Sequence, residues 1–186
     1  TKIKEFATVY DGPHATPKKT KSGPYYLGIN AITEDGRIDL NASAHLSKDD
    51  YIKWTKRITP QKNDIVFSYE ATLGRYAMIP AGFIGSLGRR LAIVRVNSEL
   101  VNPRWLYYYF YSPTWKKYMA NRVVYGSTVN RISVDEFPEY EVELIDRKKQ
   151  DDIVDILSAI DDMISNNEAI AQQLEAMAKT IYDYWF

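Results

Sequence analysis

Residues 146–186 read DRKKQDDIVDILSAIDDMISNNEAIAQQLEAMAKTIYDYWF. Within them Ile153, Ile156, Ile160, Met163, Asn167, Ile170, Leu174, Met177, Ile181 and Tyr184 recur at alternating spacings of three and four, a heptad seam held over four repeats. Neither Gly nor Pro interrupts the run, so a single helix of roughly 60 Å is expected at about 1.5 Å per residue. Asn167 takes an a position, where one polar side chain costs stability and fixes register. The e positions are apolar or small as well, with Leu157, Ile164, Ala171, Ala178 and Trp185. The stripe is therefore wider than a two-stranded seam needs, and partner helices are expected along its length.

A rod of that length outgrows whatever precedes it, so the chain divides into residues 1–144 and a long helix at 145–186 suited to dimerisation. The 186 residues leave room for one compact domain before the helix. There is no cysteine, which removes disulfides and thiolate metal sites and suits a reducing cytoplasm. No apolar run approaches the roughly 18 residues of a membrane span, and no signal peptide is expected. The chain starts without Met, as an excised or processed chain would.

Net charge is zero, but its distribution is uneven: residues 1–144 carry 20 Lys and Arg against 15 Asp and Glu, and residues 145–186 carry 4 against 9. Between 72 and 131, nine cations (Arg75, Arg89, Arg90, Arg95, Arg104, Lys116, Lys117, Arg122 and Arg131) meet only Glu99, a composition suited to a polyanion surface.

Ahead of the helix, Tyr25 to Asn30, Ile65 to Tyr69, Tyr76 to Pro80 and Leu91 to Val96 are rich in β-branched and aromatic residues, and read as strands. Gly12-Pro13, Asp35-Gly36, Ala81-Gly82 and Gly85 to Gly88 supply the punctuation. Ser47 is placed to cap a short helix to Thr55. Asn102-Pro103 opens a stronger helix whose apolar face, Leu106, Tyr109, Phe110 and Trp115, runs on through Ser112-Pro113. A last strand is expected from Tyr140 to Leu144. The fold class is α+β: a mixed, mainly β domain followed by one long coiled-coil α-helix.

Signs of catalysis are sparse. His14 and His45 have no acidic neighbours at ligand spacing, so no metal site is expected. Gly85 to Arg90 lacks the ending of a P-loop and reads as a flexible loop presenting two arginines. Asp64 and Glu70 resemble the acids of a metal-dependent nuclease without the lysine. Ser112-Pro113-Thr114-Trp115 matches the adenine-holding motif of amino-methyltransferases only in part.

Seven segments in order resemble one half of the specificity subunit of Type I restriction-modification systems. They are DGPHATP (Asp11 to Pro17), YYLGINAITEDGRIDL (Tyr25 to Leu40), NDIVFSYEATLGRYAMIP (Asn63 to Pro80), LGRRLAIVRVN (Leu87 to Asn97), NPRWLYYYFYSP (Asn102 to Pro113), GSTVNRISVDEF (Gly126 to Phe137) and the helix ending LEAMAKTIYDYWF. The resemblance covers nearly the whole chain and implies a target recognition domain followed by one spacer helix. It also implies a non-catalytic role in a larger complex, reading double-stranded DNA. Methyltransferase subunits would lie along the helices and methylate adenine with S-adenosylmethionine, and an endonuclease subunit would join through them. This chain itself would hold no cofactor. Homodimerisation through the helix would place two recognition domains on a bipartite, palindromic site. Residues 153–184 span about 46 Å, or roughly 14 base pairs.

Within such a domain the loops are the expected DNA contacts. His14, Thr16, Lys18 and Lys19 follow the first strand. Tyr69, Glu70, Thr72 and Arg75 follow the DIVFSY strand, with Glu70 suited to accept from cytosine and Arg75 to donate to guanine or phosphate. Arg89 and Arg90 are suited to the same donation. Ser127, Thr128, Asn130 and Arg131 form a polar tip matched to phosphates or, through Asn130, to adenine. Two other readings are a free-standing dimeric DNA-binding regulator and a metal-dependent nuclease using Asp64 and Glu70.

Overall fold

Leu91–Val96 (β7) is a strongly apolar segment, and in the computed structural model, which describes residues 1–126 and 129–186, it lies inside a sheet. Four strands pair antiparallel in the order β1-β7-β4-β5, where β1 is Ala7–Asp11, β4 Ile65–Ser68 and β5 Tyr76–Met78. Val66 lies opposite both Ala77 and Ile93, whereas Phe67 lies opposite Tyr76 and Ala92. Because side chains alternate along a strand, these two rows face opposite sides of the sheet. Both rows are buried, which is why β4 and β7 read as continuous apolar runs rather than as alternating ones.

The Val66 side packs against a second sheet, β3-β2-β6, made of Ala44–His45 (β3), Thr20–Leu27 (β2) and Gly85–Leu87 (β6). Leu27, Ile32, Leu87, Ile79 and Ile93 meet there in one cluster. β6 runs parallel to β2, with Tyr25 opposite Gly85 and Leu27 opposite Leu87. The Gly85–Gly88 stretch is therefore not the flexible loop its composition suggests. Its glycines serve close approach: a Cβ at Gly85 would sit 2.6 Å from the Tyr25 carbonyl oxygen, and one at Gly88 would collide with the Leu27 backbone.

The Phe67 side is covered by aromatics. Pro103–Tyr111 (α2) and Pro113–Ala120 (α3) bring Phe110 and Trp115 over Tyr76, and the Trp115 indole N–H donates to the Tyr76 hydroxyl at 2.9 Å. Phe137 stacks on Phe67 with ring centroids 4.4 Å apart. Fully burying a side chain of this kind contributes roughly 1.5–3 kcal/mol relative to exposure. The apolar face from Leu106 to Trp115 is present, but two helices carry it. Ser112 ends α2 in an extended conformation, and its hydroxyl accepts from the Trp115 N–H, so the SPTW motif is a helix break with its own cap. Helix α1, Lys48–Trp54, starts as its sequence predicts, the Ser47 hydroxyl accepting from the Asp50 N–H.

The strand expected from Tyr140 to Leu144 is absent, and only a Lys2–Glu141 bridge forms. The backbone of Thr1–Ile3 bonds one edge of this segment, the Ile3 N–H donating to the Tyr140 carbonyl and the Val142 N–H to that of Thr1, and tyrosine hydroxyls serve the other edge: Tyr118 accepts from the Glu141 N–H at 2.8 Å and Tyr109 from the Glu143 N–H at 3.1 Å.

Residues Thr1–Arg147 form one compact unit and Lys148–Phe186 a second. Helix α4 spans Arg147–Trp185, and its 39 residues make a rod of about 58 Å at 1.5 Å per residue. Ile156, Met163, Ile170, Leu174, Met177, Ile181 and Tyr184 on the seam are all more than half exposed. Near its end Tyr182 stacks on Phe186 at 5.1 Å, leaving an open apolar pocket bounded by Ala178, Ile181 and Trp185.

Candidate nucleic-acid interface

Strand register gathers the candidate loops at one end of the four-stranded sheet. Asp11, the last residue of β1, pairs with Ala92, and Ser68, the last of β4, pairs with Leu91, while Phe67 opposes Tyr76 at the start of β5. The chain leaving β1 (residues 12–19), the connection from β4 to β5 (69–75) and the turn into β7 (88–90) must all emerge there. Arg131 joins them through backbone bridges to Glu70 and Val124, and the Ile132 N–H donates to the Tyr69 carbonyl at 2.8 Å.

At the centre of this rim the Arg90 Nε lies 3.1 Å from Glu70 Oε1. Arg90 has φ +68° and Ala71, beside Glu70, also φ +68°, a left-handed conformation that side chains with a Cβ adopt at a cost of roughly 1–2 kcal/mol. Both backbones are pinned: the Tyr69 N–H donates to the Arg90 carbonyl, and the Ser68 hydroxyl and Thr72 N–H donate to the Glu70 carbonyl. An open cleft of about 500 Å³ lies against the pair, walled by Val124, Tyr125, Val129 and Arg131. Tyr125 is 77% exposed.

A second concavity, of about 200 Å³, lies between the turn after β1 and the end of α1, lined among others by Asp11, His14, Lys53, Lys56 and Arg57. His14 Nε2 sits 2.8 Å from Asp11 Oδ2. Burial, followed by the Asp11 charge, pushes the Tyr69 hydroxyl well above the usual phenol range, so Tyr69 stays protonated beneath this rim.

The family model described as Type I restriction modification DNA specificity domain matches residues 1–176. The chain belongs to this family. The specificity domain is 26% identical over 129 residues to the Type I restriction enzyme HindI specificity subunit of Haemophilus influenzae, a match covering 68% of this chain and 28% of that protein. Its fold is similar to that of the Type I restriction-modification S subunit from M. genitalium, with a TM-score of 0.61 at 15% identity over 89% of this chain and 39% of that one. The HsdS subunit from Thermoanaerobacter tengcongensis superposes with a TM-score of 0.56 at 16% identity, again over 89% of this chain and over 37% of the other. This chain thus spans well under half the length of each.

Register and contacts sort the candidate residues of the specificity domain. His14, Thr16, Lys18, Lys19, Arg89, Asn130 and Arg131 are exposed, and Glu70 and Arg90 are half-buried at the rim. Three others point to support rather than contact. Tyr69 is 8% exposed, and the Thr72 hydroxyl donates to Ser68 Oγ at 2.9 Å. Arg75 turns back, donating to the Ile32 carbonyl at 3.2 Å and to Glu34 at 2.8 Å. Ser127 and Thr128 lie outside the described residues. Lys53, Lys56, Arg57 and Tyr125 join the rim without having been singled out by sequence, since the three cations belong to a segment of mixed charge in and just after α1.

The nine cations of residues 72–131 do not share one face. Arg95 is at the far end of β7, in a bidentate pair with Asp64, and Arg122 lies over the Tyr118 ring at 3.3 Å. Asp64 and Glu70 flank β4 on opposite sides, six residues apart at roughly 3.3 Å each, too far to share one metal ion. That separation removes the nuclease reading.

Proposed function

We propose that this chain is the sequence-reading part of a Type I restriction-modification complex, one target recognition domain with one spacer helix. The observation that carries the proposal is the family match over residues 1–176 together with the convergence of loops 12–19, 69–75 and 88–90 and of Arg131 at one sheet end. His14, Thr16, Lys18, Lys19, Arg89, Asn130 and Arg131, with Lys53, Lys56 and Arg57, hold double-stranded DNA largely through phosphates. Glu70, Arg90 and Tyr125 face the bases.

Two copies pair through the apolar stripe of α4 from Ile153 to Tyr184, and the two-fold relation gives a split palindromic target. The stripe is wider than one partner helix covers, and methyltransferase subunits occupy the remainder. Those subunits extrude and methylate adenine with S-adenosylmethionine, and an endonuclease subunit joins through them. This chain, in the cytoplasm, supplies the address and not the chemistry.

Among the described residues no helix is long and apolar enough to cross a membrane. The test is to combine the chain with a Type I methyltransferase subunit and S-adenosylmethionine on a library of random duplexes, and to map methylated adenines. They should fall in one split palindrome. Methylation scattered without a shared sequence, or unchanged when this chain is left out, would reject the proposal.

A further inference from the structure

We infer that Arg90 and Glu70 act as one unit that reads a G·C base pair in the major groove, Arg90 on guanine and Glu70 on cytosine. The inference rests on the specificity-domain reading above and names what one part of that surface selects.

A glutamate 3.1 Å away weakens the hold of a guanidinium on a phosphate, because its charge repels that phosphate. Toward a base edge the same carboxylate is an acceptor. In the major groove a G·C pair presents two acceptors, N7 and O6 of guanine, followed by the N4 donor of cytosine. Arg90 beside Glu70 presents the complement, donors followed by an acceptor. An A·T pair presents acceptor, donor, acceptor and the thymine methyl, so the guanidinium would meet the adenine amine.

Both groups have hydrogen-bonding capacity left. Their contact uses Nε of Arg90 and Oε1 of Glu70, and among the described residues no contact engages either Nη of Arg90 or Oε2 of Glu70. The neighbouring alternative is already committed, since both Nη atoms of Arg75 are engaged by Ile32 and Glu34.

Arg90 and Glu70 stand just beyond the last ladder pair, Ser68 with Leu91, on backbones fixed from both sides. The left-handed φ of +68° at Arg90 is an unfavourable conformation for a residue with a side chain, and it is kept at the lip of the cleft that Tyr125 and Arg131 wall. The result is a donor–acceptor edge carried on a hydrogen-bonded backbone.

The experiment uses the full chain with its methyltransferase subunit and the duplex that the wild type selects, in competition against every single-base-pair variant of that duplex. Glu70→Ala and Arg90→Gly are the test variants, and Arg90→Gly keeps the left-handed backbone without strain, so its folding is not in question. One G·C pair in each half-site should lose roughly tenfold or more of its preference in both variants, with other positions unchanged. Placing 7-deazaguanine at that pair should weaken wild-type binding and leave Arg90→Gly unaffected. Uniform weakening at every position, or losses at different base pairs in the two variants, would overturn the inference while leaving DNA recognition standing. If the wild type selects no sequence at all, the specificity-domain reading fails and the inference falls with it.

Discussion

Arg95 grips Asp64 with two parallel hydrogen bonds, Nε to Oδ1 at 2.8 Å and Nη2 to Oδ2 at 2.7 Å, at the sheet end remote from the loops. Asp64 is 3% exposed and also accepts from the Gln61 N–H, while Arg95 donates to the Thr59 carbonyl. The pair ties the entry of β4 to β7.

Removing one partner of such a pair strands the other charge, so Asp64→Ala should destabilise the domain by roughly 3 kcal/mol. Urea unfolding followed by circular dichroism measures this. Base preference at low temperature should be unchanged, because the pair lies at the sheet end remote from the loops proposed to meet DNA.

Rim cations should behave differently. Arg131→Ala and Arg57→Ala are each expected to leave stability within about 0.5 kcal/mol and to lower the slope of log affinity against log salt by about one unit. An unchanged slope would mean that the residue neutralises no phosphate.

Alkaline pH should unfold the domain early. Burial raises the Tyr76 hydroxyl above its ordinary value of 10.0, and burial is also the leading cause at Tyr69, Tyr109, Tyr111 and Tyr140. Below about pH 10 folded and unfolded chains hold these protons equally, and the stability is fully present. Above it the unfolded chain releases them first, so stability falls as pH rises. Thermal melts between about pH 8 and 11 should show the midpoint holding and then dropping, and a flat profile would be inconsistent with tyrosines buried in this way.

In the helix, Ile160→Asp places a charge on the seam. Light scattering should record a shift from dimer to monomer mass and near-complete loss of targeted methylation, with the β-sheet signal of residues 1–147 retained. A dimer that survives the substitution would place the interface elsewhere.

Features set by local chemistry were legible in the sequence. Ser47 and Asn102 cap helices because their side-chain oxygens reach backbone N–H groups two or three residues on, and Leu91–Val96 is a strand because both of its faces are covered. Features set by distant partners were not. Nothing local to Gly85–Leu87 announces a parallel pairing with residues 60 positions earlier, as Tyr25 with Gly85. Arg75 looks as free as Arg90 until Glu34, 41 residues away, is seen to hold it. The Tyr109 and Tyr118 hydroxyls that serve one edge of the segment after Tyr140 are equally silent in a one-dimensional pattern. The heptad seam was readable because its period is internal to the helix.

The most direct measurement is selection of bound duplexes from random DNA by this chain, with and without a Type I methyltransferase subunit. A split palindrome should be enriched when methyltransferase is present, with little enrichment without it. Equal enrichment in its absence would identify a free-standing DNA-binding regulator, and no enrichment in either arm, with the dimer confirmed by mass, would contradict DNA recognition itself.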